Sequence, residues 1–128
     1  MENVTVLDTC VLLDFLAGKN KTVISKVERF LLEAKAAVSV VTVFELLRGV
    51  ESDKHITQRK ELIGLCTVLD LTLQISQRAA GIYTQLKKKG LLIHAEDILI
   101  AATALHWRYS ITTSNVKDFS RIPEMKLE

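Results

Sequence analysis

The segment Val4-Thr5-Val6-Leu7-Asp8-Thr9 is the clearest indicator of the fold, because a short β-branched and aliphatic run passes directly into an acidic residue. Apolar runs of this length are typical of buried strands. Comparable runs occupy residues 37–41, 67–71 and Ser110–Thr112, and residues 125–127 are a candidate for a further strand. The sequence therefore predicts a sheet of four to five short strands.

Helical patterns separate these strands, and they cover residues 11–16, 21–35, 42–52, 57–65, 73–89 and 94–108. Strands that alternate with helices favour right-handed crossovers and a mostly parallel sheet with helices on both faces. The predicted fold class is therefore α/β. In such sheets the functional crevice lies beyond the carboxyl ends of the strands.

The bulk properties fit one globular domain that spans residues 1–128. The chain is 48% hydrophobic and 25% charged, and it contains no Pro/Gly/Ser-rich linker. No apolar run reaches the length of about 18 residues that a membrane span requires. We expect a cytoplasmic protein with two reduced cysteines, since no secretory signal pattern is present. The net charge of +2 suggests few phosphate contacts if the ligand is a nucleic acid.

Acidic residues recur at or just beyond the predicted strand ends. Asp8 follows the first strand, Glu45 follows the second, and Asp118 follows the strand Ser110–Thr112. A further acid, Asp97, lies near the start of an almost wholly apolar helix. Because the carboxyl ends of parallel strands meet at one edge of a sheet, these acids are expected to converge.

Each acid also has a purely structural interpretation. Thr42 and Glu45 match the S/T-x-x-E capping box, which would by itself account for Glu45. Helix capping, a favourable helix dipole or a turn would account for the others, namely Asp8, Asp97, Asn115 and Asp118. Capping alone does not require so many acids on one edge, so their conjunction favours a shared site.

A cluster of carboxylates requires a cation. Two carboxylates about 4 Å apart repel each other by about 4 kcal/mol at an effective dielectric constant near 20. A set of carboxylate oxygens suits Mg²⁺ or Mn²⁺, which are hard ions. Zinc is not favoured, since His55, His94 and His106 show no zinc-ligand spacing with each other or with cysteine.

Four segments of the chain carry a resemblance to a known family. They are Val6-Leu7-Asp8-Thr9, Ser39-Val40-Val41-Thr42-Val43-Phe44-Glu45-Leu46 with Gly49 after it, Asp97-Ile98-Leu99-Ile100-Ala101-Ala102-Thr103-Ala104, and Thr112-Thr113-Ser114-Asn115-Val116-Lys117-Asp118-Phe119. This pattern resembles the PIN-domain family and, within it, the VapC-type toxins of VapBC toxin–antitoxin pairs. The segments stand in the family's order, and they extend from residue 6 to residue 119.

The resemblance implies a three-layer α/β/α fold and a metal-dependent endoribonuclease that hydrolyses RNA phosphodiester bonds. It places Asp8, Glu45, Asp97 and Asp118 in the catalytic set. Asp8, Asp97 and Glu45 would hold Mg²⁺ or Mn²⁺. The fourth position is less fixed in the family, so either Asp118 or Asn115 fills it.

Two residues depart from the family pattern, and several others are implied to contact RNA. Cys10 stands where an asparagine is common, and Ser114 stands where an arginine is common. Base-stacking aromatic residues are scarce, which favours recognition of RNA shape or loop context. The implied substrate-binding residues are Thr9, Arg48, Thr112, Ser114, Asn115 and Lys117.

The resemblance also implies partners, which are a second copy of the chain and a VapB-like antitoxin whose tail covers the acidic cleft. Two alternatives share the fold: an RNA-processing nuclease without an antitoxin, and an inactive RNA-binding module. Phosphotransferases on similar scaffolds do not fit. The haloacid-dehalogenase pattern requires an aspartate where Cys10 stands, and a receiver domain requires an acidic neighbour that Asp8 lacks.

Overall fold

A parallel sheet with helices on both faces forms the centre of the molecule. Residues 3–128 are described by a computed structural model, so Met1 and Glu2 lie outside the described residues. The strands are β1 (Thr5–Leu7), β2 (Ala36–Ser39), β3 (Thr67–Leu69) and β4 (Ser110–Thr112). The helices are α1 (Thr9–Ala17), α2 (Lys21–Leu32), α3 (Val40–Leu47), α4 (Asp53–Gly64), α5 (Leu73–Lys88), α6 (Ala95–Trp107) and α7 (Val116–Phe119).

The strands lie in the order β3-β2-β1-β4, and every pairing between them is parallel. In the central strand, Val6 pairs with Ala37 on one side and with Ile111 on the other. All four strands therefore end at the same edge of the sheet. The residues that follow Leu7, Ser39 and Thr112 consequently meet there.

Alternate side chains of the strands pack into two separate cores. On one face, Val6, Ala37 and Ile111 pack against helices α5 and α6. On the other face, Leu7 and Val38 pack against helices α1 to α4. This alternation follows from the two-residue period of a strand. The predicted α/β fold with three layers is confirmed.

The predicted second strand, residues 37–41, is displaced. The structure has a strand at Ala36–Ser39, and helix α3 already begins at Val40. The Ser39 hydroxyl caps this helix by accepting a hydrogen bond from the Val41 amide at 3.0 Å. The β-branched run from residue 40 to residue 43 favours a strand by propensity, but the cap and the packing against the core prevail. The predicted capping box of Thr42 and Glu45 is therefore wrong, since both residues lie inside the helix.

Several further elements differ from the sequence prediction. The helix predicted at residues 42–52 ends at Leu47, because Gly49 adopts a left-handed conformation with φ of 72°. The helix predicted at residues 57–65 starts earlier, at Asp53. The candidate fifth strand is reduced to an isolated parallel bridge between Leu127 and Ile111. Among residues 3–128, no helix has both the length and the apolar composition needed to cross a membrane.

Candidate functional site

The predicted acids lie around one cleft at the carboxyl edge of the sheet. Asp8 follows β1 directly, and its amide donates to the Thr112 carbonyl of the adjacent strand at 3.0 Å. Glu45 comes from α3, and Asp97 comes from the first turn of α6. The cleft has a volume of about 260 Å³, and its lining residues are Asp8, Thr9, Cys10, Leu13, Glu45, Arg48, Asp97 and Asn115.

The pKa of Asp97 is raised by its burial and by its acidic neighbours. Burial raises it from 3.8 to about 6, and the negative charges of Asp8, Glu45 and Asp118 add to the rise. His94, one helical turn before Asp97, acts in the opposite direction. Both the burial and the direction of the charge effects are as expected for acids that share a partly buried site.

Hydrogen bonds hold the Asp8 carboxylate, which is 3% exposed. Its Oδ1 accepts from the Thr9 amide at 2.8 Å, which confirms that Asp8 is the N-cap of α1. Its Oδ2 accepts from the Thr113 hydroxyl at 2.7 Å and from the Cys10 thiol at 2.9 Å. The capping role and a place in the cleft are thus compatible, because the two roles use different oxygens.

Burial raises the pKa of the Cys10 thiol above its ordinary value of 9.0, and the hydrogen bond to Asp8 and the charge of Asp8 raise it further. The side chain is therefore a neutral thiol near pH 7 and acts as a donor to Asp8. The asparagine that is common at this position in the resembling family also carries donor groups. The substitution by cysteine consequently preserves a donor beside Asp8.

The Glu45 carboxylate is held by two neighbours of different kinds. Its Oε1 accepts from the Thr9 hydroxyl at 2.6 Å, and its Oε2 lies 3.7 Å from Nη2 of Arg48. The Thr42 hydroxyl, which is fully buried, lies 3.0 Å from the Thr9 oxygen. Since a hydroxyl has one proton and a carboxylate only accepts, the Thr9 proton is engaged by Glu45. Thr9 therefore holds the Glu45 carboxylate in position.

The loop between β4 and α7 completes the cleft. The Asn115 side-chain amide donates to Asp118 Oδ2 at 2.9 Å, so the two candidates for the fourth position are hydrogen-bonded to each other. The Asn115 backbone amide donates to the Thr113 hydroxyl at 2.9 Å. Thr113 consequently links this loop to Asp8. Asn115 lines the cleft, whereas Asp118 acts on it through its charge.

Not every predicted substrate-binding residue reaches the cleft. The Thr112 hydroxyl is buried and lies 2.8 Å from the Thr5 hydroxyl, so the sequence prediction for Thr112 is not supported by its position. Ser114 donates to Asp14 at 3.2 Å on the exposed rim, and Lys117 lies exposed on α7. Thr113, which contacts Asp8, was not among the predicted site residues. Alternation of side chains places Thr112 and Thr113 on opposite sides, but the sequence alone does not say which side faces the cleft.

The donor set fits a hard divalent cation by its chemistry. All four acids offer carboxylate oxygens, and a cation would offset both the burial of Asp97 and the charges of the neighbouring acids, which together raise the pKa of Asp97. No group of three or more His, Cys, Asp or Glu side chains within residues 3–128 is already arranged as a metal-binding cluster. Hydroxyl and thiol donors instead hold Asp8 and Glu45 in their present positions.

Comparison with known proteins identifies the family. A family model described as "PIN domain" matches residues 5–125. This chain belongs to the PIN-domain family. The match covers all four strands and the cleft, so the acids described above lie within the PIN domain.

Relatives of this PIN domain are named ribonuclease VapC. The chain is 31% identical to Ribonuclease VapC1 of Methanocaldococcus jannaschii over 99% of its own length and 87% of the relative's length. It is 30% identical to Ribonuclease VapC of Rickettsia bellii over 95% of its length and 92% of the relative's length. A crystal structure of DNA-bound VapBC from Salmonella typhimurium matches with a TM-score of 0.84 at 26% identity, and covers 99% of this chain and 98% of that one. The chain is thus similar to VapC-type PIN domains over nearly its whole length.

Proposed function

We propose that this PIN domain is an endoribonuclease that hydrolyses RNA phosphodiester bonds with Mg²⁺ or Mn²⁺, and that it is the toxin of a VapBC-type pair. The observation that carries the proposal is the convergence of Asp8, Glu45, Asp97 and Asp118 on one edge of the sheet, where burial and the charges of the other three acids raise the pKa of Asp97 to about 6. The names of the VapC ribonucleases to which the chain is similar supply the substrate class.

The acids take different roles in this proposal. Asp8, Asp97 and Glu45 would hold the cation, and Asp118 would complete the negative charge of the catalytic set. When bound, the cation would supply a water of lowered pKa and positive charge beside the phosphate. Asp8 is oriented by Thr113 and Cys10, and Glu45 is oriented by Thr9. These donors keep the two carboxylates at fixed positions before the substrate arrives, which reduces the cost of ordering the site.

The cations near the cleft would bind the RNA backbone. Arg48 lines the cleft and its side chain is 53% exposed, so it can reach a phosphate without leaving Glu45. Asn115 would contact the substrate from the opposite loop, while Ser114 and Lys117 would contact it at the rim. Hydrolysis that leaves the 3′ oxygen on the departing strand would give a 3′-hydroxyl and a 5′-phosphate.

The remaining proposals concern the surroundings of the domain. We propose that the whole chain, residues 1–128, forms one PIN domain that acts in the cytoplasm as a homodimer and is inhibited by a VapB-like antitoxin. The VapBC complexes among the similar structures support such a partner. A PIN-fold RNA-processing nuclease without an antitoxin remains the alternative, and it uses the same site.

The experiment that tests the proposal is an RNA-cleavage assay on the purified chain. Structured and single-stranded RNAs would be incubated in Mg²⁺ or Mn²⁺, with EDTA and with the Asp8→Asn variant. We expect cleavage in either metal, and we expect EDTA and Asp8→Asn each to abolish it. Cleavage that persisted in both would show that the acidic cleft is not its source.

A further inference from the structure

An exposed aromatic ring lies beside the candidate active site. Phe44 precedes Glu45 in α3, and its side chain is 61% exposed to solvent. The residues of α3 three or four positions away from Phe44 are all more buried than Phe44, namely Val40, Val41 and Leu47. Single exposed apolar side chains are common on protein surfaces, so the exposure of Phe44 gains meaning from the groups beside it at the cleft.

The guanidinium of Arg48 extends this ring into a larger surface. Its Cζ lies 5.5 Å from the centroid of the Phe44 ring, which is within the range of a cation–π contact. Its Nη2 lies 3.7 Å from Glu45 Oε2. Arg48 therefore connects the ring to the cleft, because one side chain contacts both Phe44 and a carboxylate of the site.

The chemistry of this surface suits a nucleobase. A base has a flat π face that stacks on an aromatic ring or on a guanidinium plane, and a phosphate next to it would meet the positive charge of Arg48. A protein side chain would satisfy the ring equally well, but it would not explain a cation at the mouth of a cleft lined by Asp8, Glu45 and Asp97. The combination of ring, cation and neighbouring acids favours RNA.

We propose that Phe44 and Arg48 form a stacking surface for one nucleobase beside the scissile phosphodiester bond, an inference that rests on the proposed ribonuclease activity. The substrate class is then single-stranded or looped RNA, since a base in a regular duplex is stacked on its neighbours and cannot turn onto this surface. The sequence led us to expect little base stacking, because aromatic residues are scarce, and the proposal departs from that expectation at the exposed ring of Phe44.

The test compares RNA with and without bases. Fluorescence anisotropy would measure the binding of a single-stranded RNA of about 12 nucleotides and of an abasic oligomer of equal length. The Asp97→Asn chain would be the parent, because we expect it to suppress cleavage and it removes one negative charge from the cleft. Phe44→Ala and Phe44→Trp would be introduced into it. Leu73→Ala would serve as the matched control, since Leu73 is 70% exposed and lies outside the cleft.

The parent should bind the base-containing RNA more tightly than the abasic oligomer by about 5- to 150-fold, which is the range for one stacked base. Phe44→Ala should remove most of this preference, whereas Phe44→Trp and Leu73→Ala should retain it. Circular dichroism would verify that all variants are folded. An equal base preference in the parent and in Phe44→Ala would overturn the proposal, as would a parent that does not distinguish the two oligomers.

Three further outcomes separate this inference from the proposed function. If the native chain cleaves RNA but its base preference is independent of Phe44, only the stacking surface is wrong. If Phe44→Ala weakens binding of a VapB-type antitoxin and leaves the base preference intact, the surface belongs to a protein partner and the proposal is overturned. A base preference that depends on Phe44 in a chain that cleaves no RNA would support the surface and contradict the hydrolysis.

Discussion

Asp97 combines a proposed catalytic role with an electrostatic cost. Partial burial of its carboxylate and the charges of three nearby acids raise its pKa to about 6. We expect Asp97→Asn to lower RNA cleavage by about 100-fold or more, because it removes a proposed ligand of the cation. The same variant should be more stable at pH 7 without metal by about 1 kcal/mol, a value reduced from the full shift because the group is partly exposed.

Thermal unfolding in EDTA would measure this gain, which corresponds to a rise in Tm of roughly 2–5 °C. The matched control is Glu61→Gln, an exposed carboxylate on α4 outside the cleft, which should leave both Tm and cleavage nearly unchanged. An Asp97→Asn variant less stable than the native chain would show that Asp97 is primarily a structural group.

The pH dependence of stability follows from the same carboxyl group. The pKa of Asp97 in the folded chain is about 6, above its ordinary value of 3.8, so between these values the folded state holds more protons than the unfolded state. The contribution of Asp97 to stability should therefore decrease as the pH rises from about 4 to about 6. Urea unfolding in EDTA should show this decrease in the native chain and a smaller one in Asp97→Asn. An identical pH profile in the two chains would contradict the shift.

Thr113 is a positioning residue whose role is separable from folding. Its hydroxyl donates to Asp8 Oδ2 and accepts from the Asn115 amide. We expect Thr113→Val to weaken Mn²⁺ binding by about 10- to 100-fold, the usual effect of removing a group that orients a metal ligand. Thr113→Ser should restore the affinity, since it keeps the hydroxyl.

Isothermal titration with Mn²⁺ would measure these affinities, with Thr84→Val as the control because the Thr84 hydroxyl bonds only to a helix carbonyl on an exposed face. Native affinity in Thr113→Val would contradict the positioning role. At this scale the sequence predicted that Asp8, Glu45 and Asp97 would meet. It did not distinguish Thr113 from Thr112, because their opposite orientations depend on where β4 sits in the sheet.

At the scale of the elements, Ser39 determines where β2 gives way to α3. Its buried hydroxyl accepts from the Val41 amide, and this cap fixes the start of the helix that carries Phe44, Glu45 and Arg48. We expect Ser39→Ala to lower the free energy of unfolding by about 1–2 kcal/mol, the usual cost of losing an N-cap. Urea unfolding would measure it.

Ser76→Ala is the matched control, since Ser76 lies exposed within α5 and caps nothing, and it should change stability by less than about 0.5 kcal/mol. A Ser39→Ala chain as stable as the native one would contradict the capping role. The sequence could not place this boundary, because residues 40–43 are β-branched and local propensity favours a strand there. The boundary is instead set by the packing of Leu46 in the core and by the N-cap at Ser39.

At the scale of the whole molecule, the order of strands and helices in the sequence was sufficient to predict most of the fold. Short apolar runs separated by amphipathic segments predicted a parallel sheet with helices on both faces, and the two cores confirm it. The predicted fifth strand failed because only Leu127 pairs with Ile111. The exposed ring of Phe44 could not be foreseen from the sequence, since an aromatic residue in an apolar helix is more often buried.

We propose that the acidic cleft hydrolyses RNA with a water as the nucleophile. The chemical ends of the RNA fragments test this proposal. RNA would be cleaved in Mn²⁺ and in ¹⁸O-labelled water, and the fragment ends would be identified by mass spectrometry for the native chain and for Asp97→Asn. For the native chain we expect 3′-hydroxyl ends and 5′-phosphates that carry one ¹⁸O atom, and we expect no products from Asp97→Asn. Fragments that end in a 2′,3′-cyclic phosphate, or equal cleavage by Asp97→Asn, would contradict it.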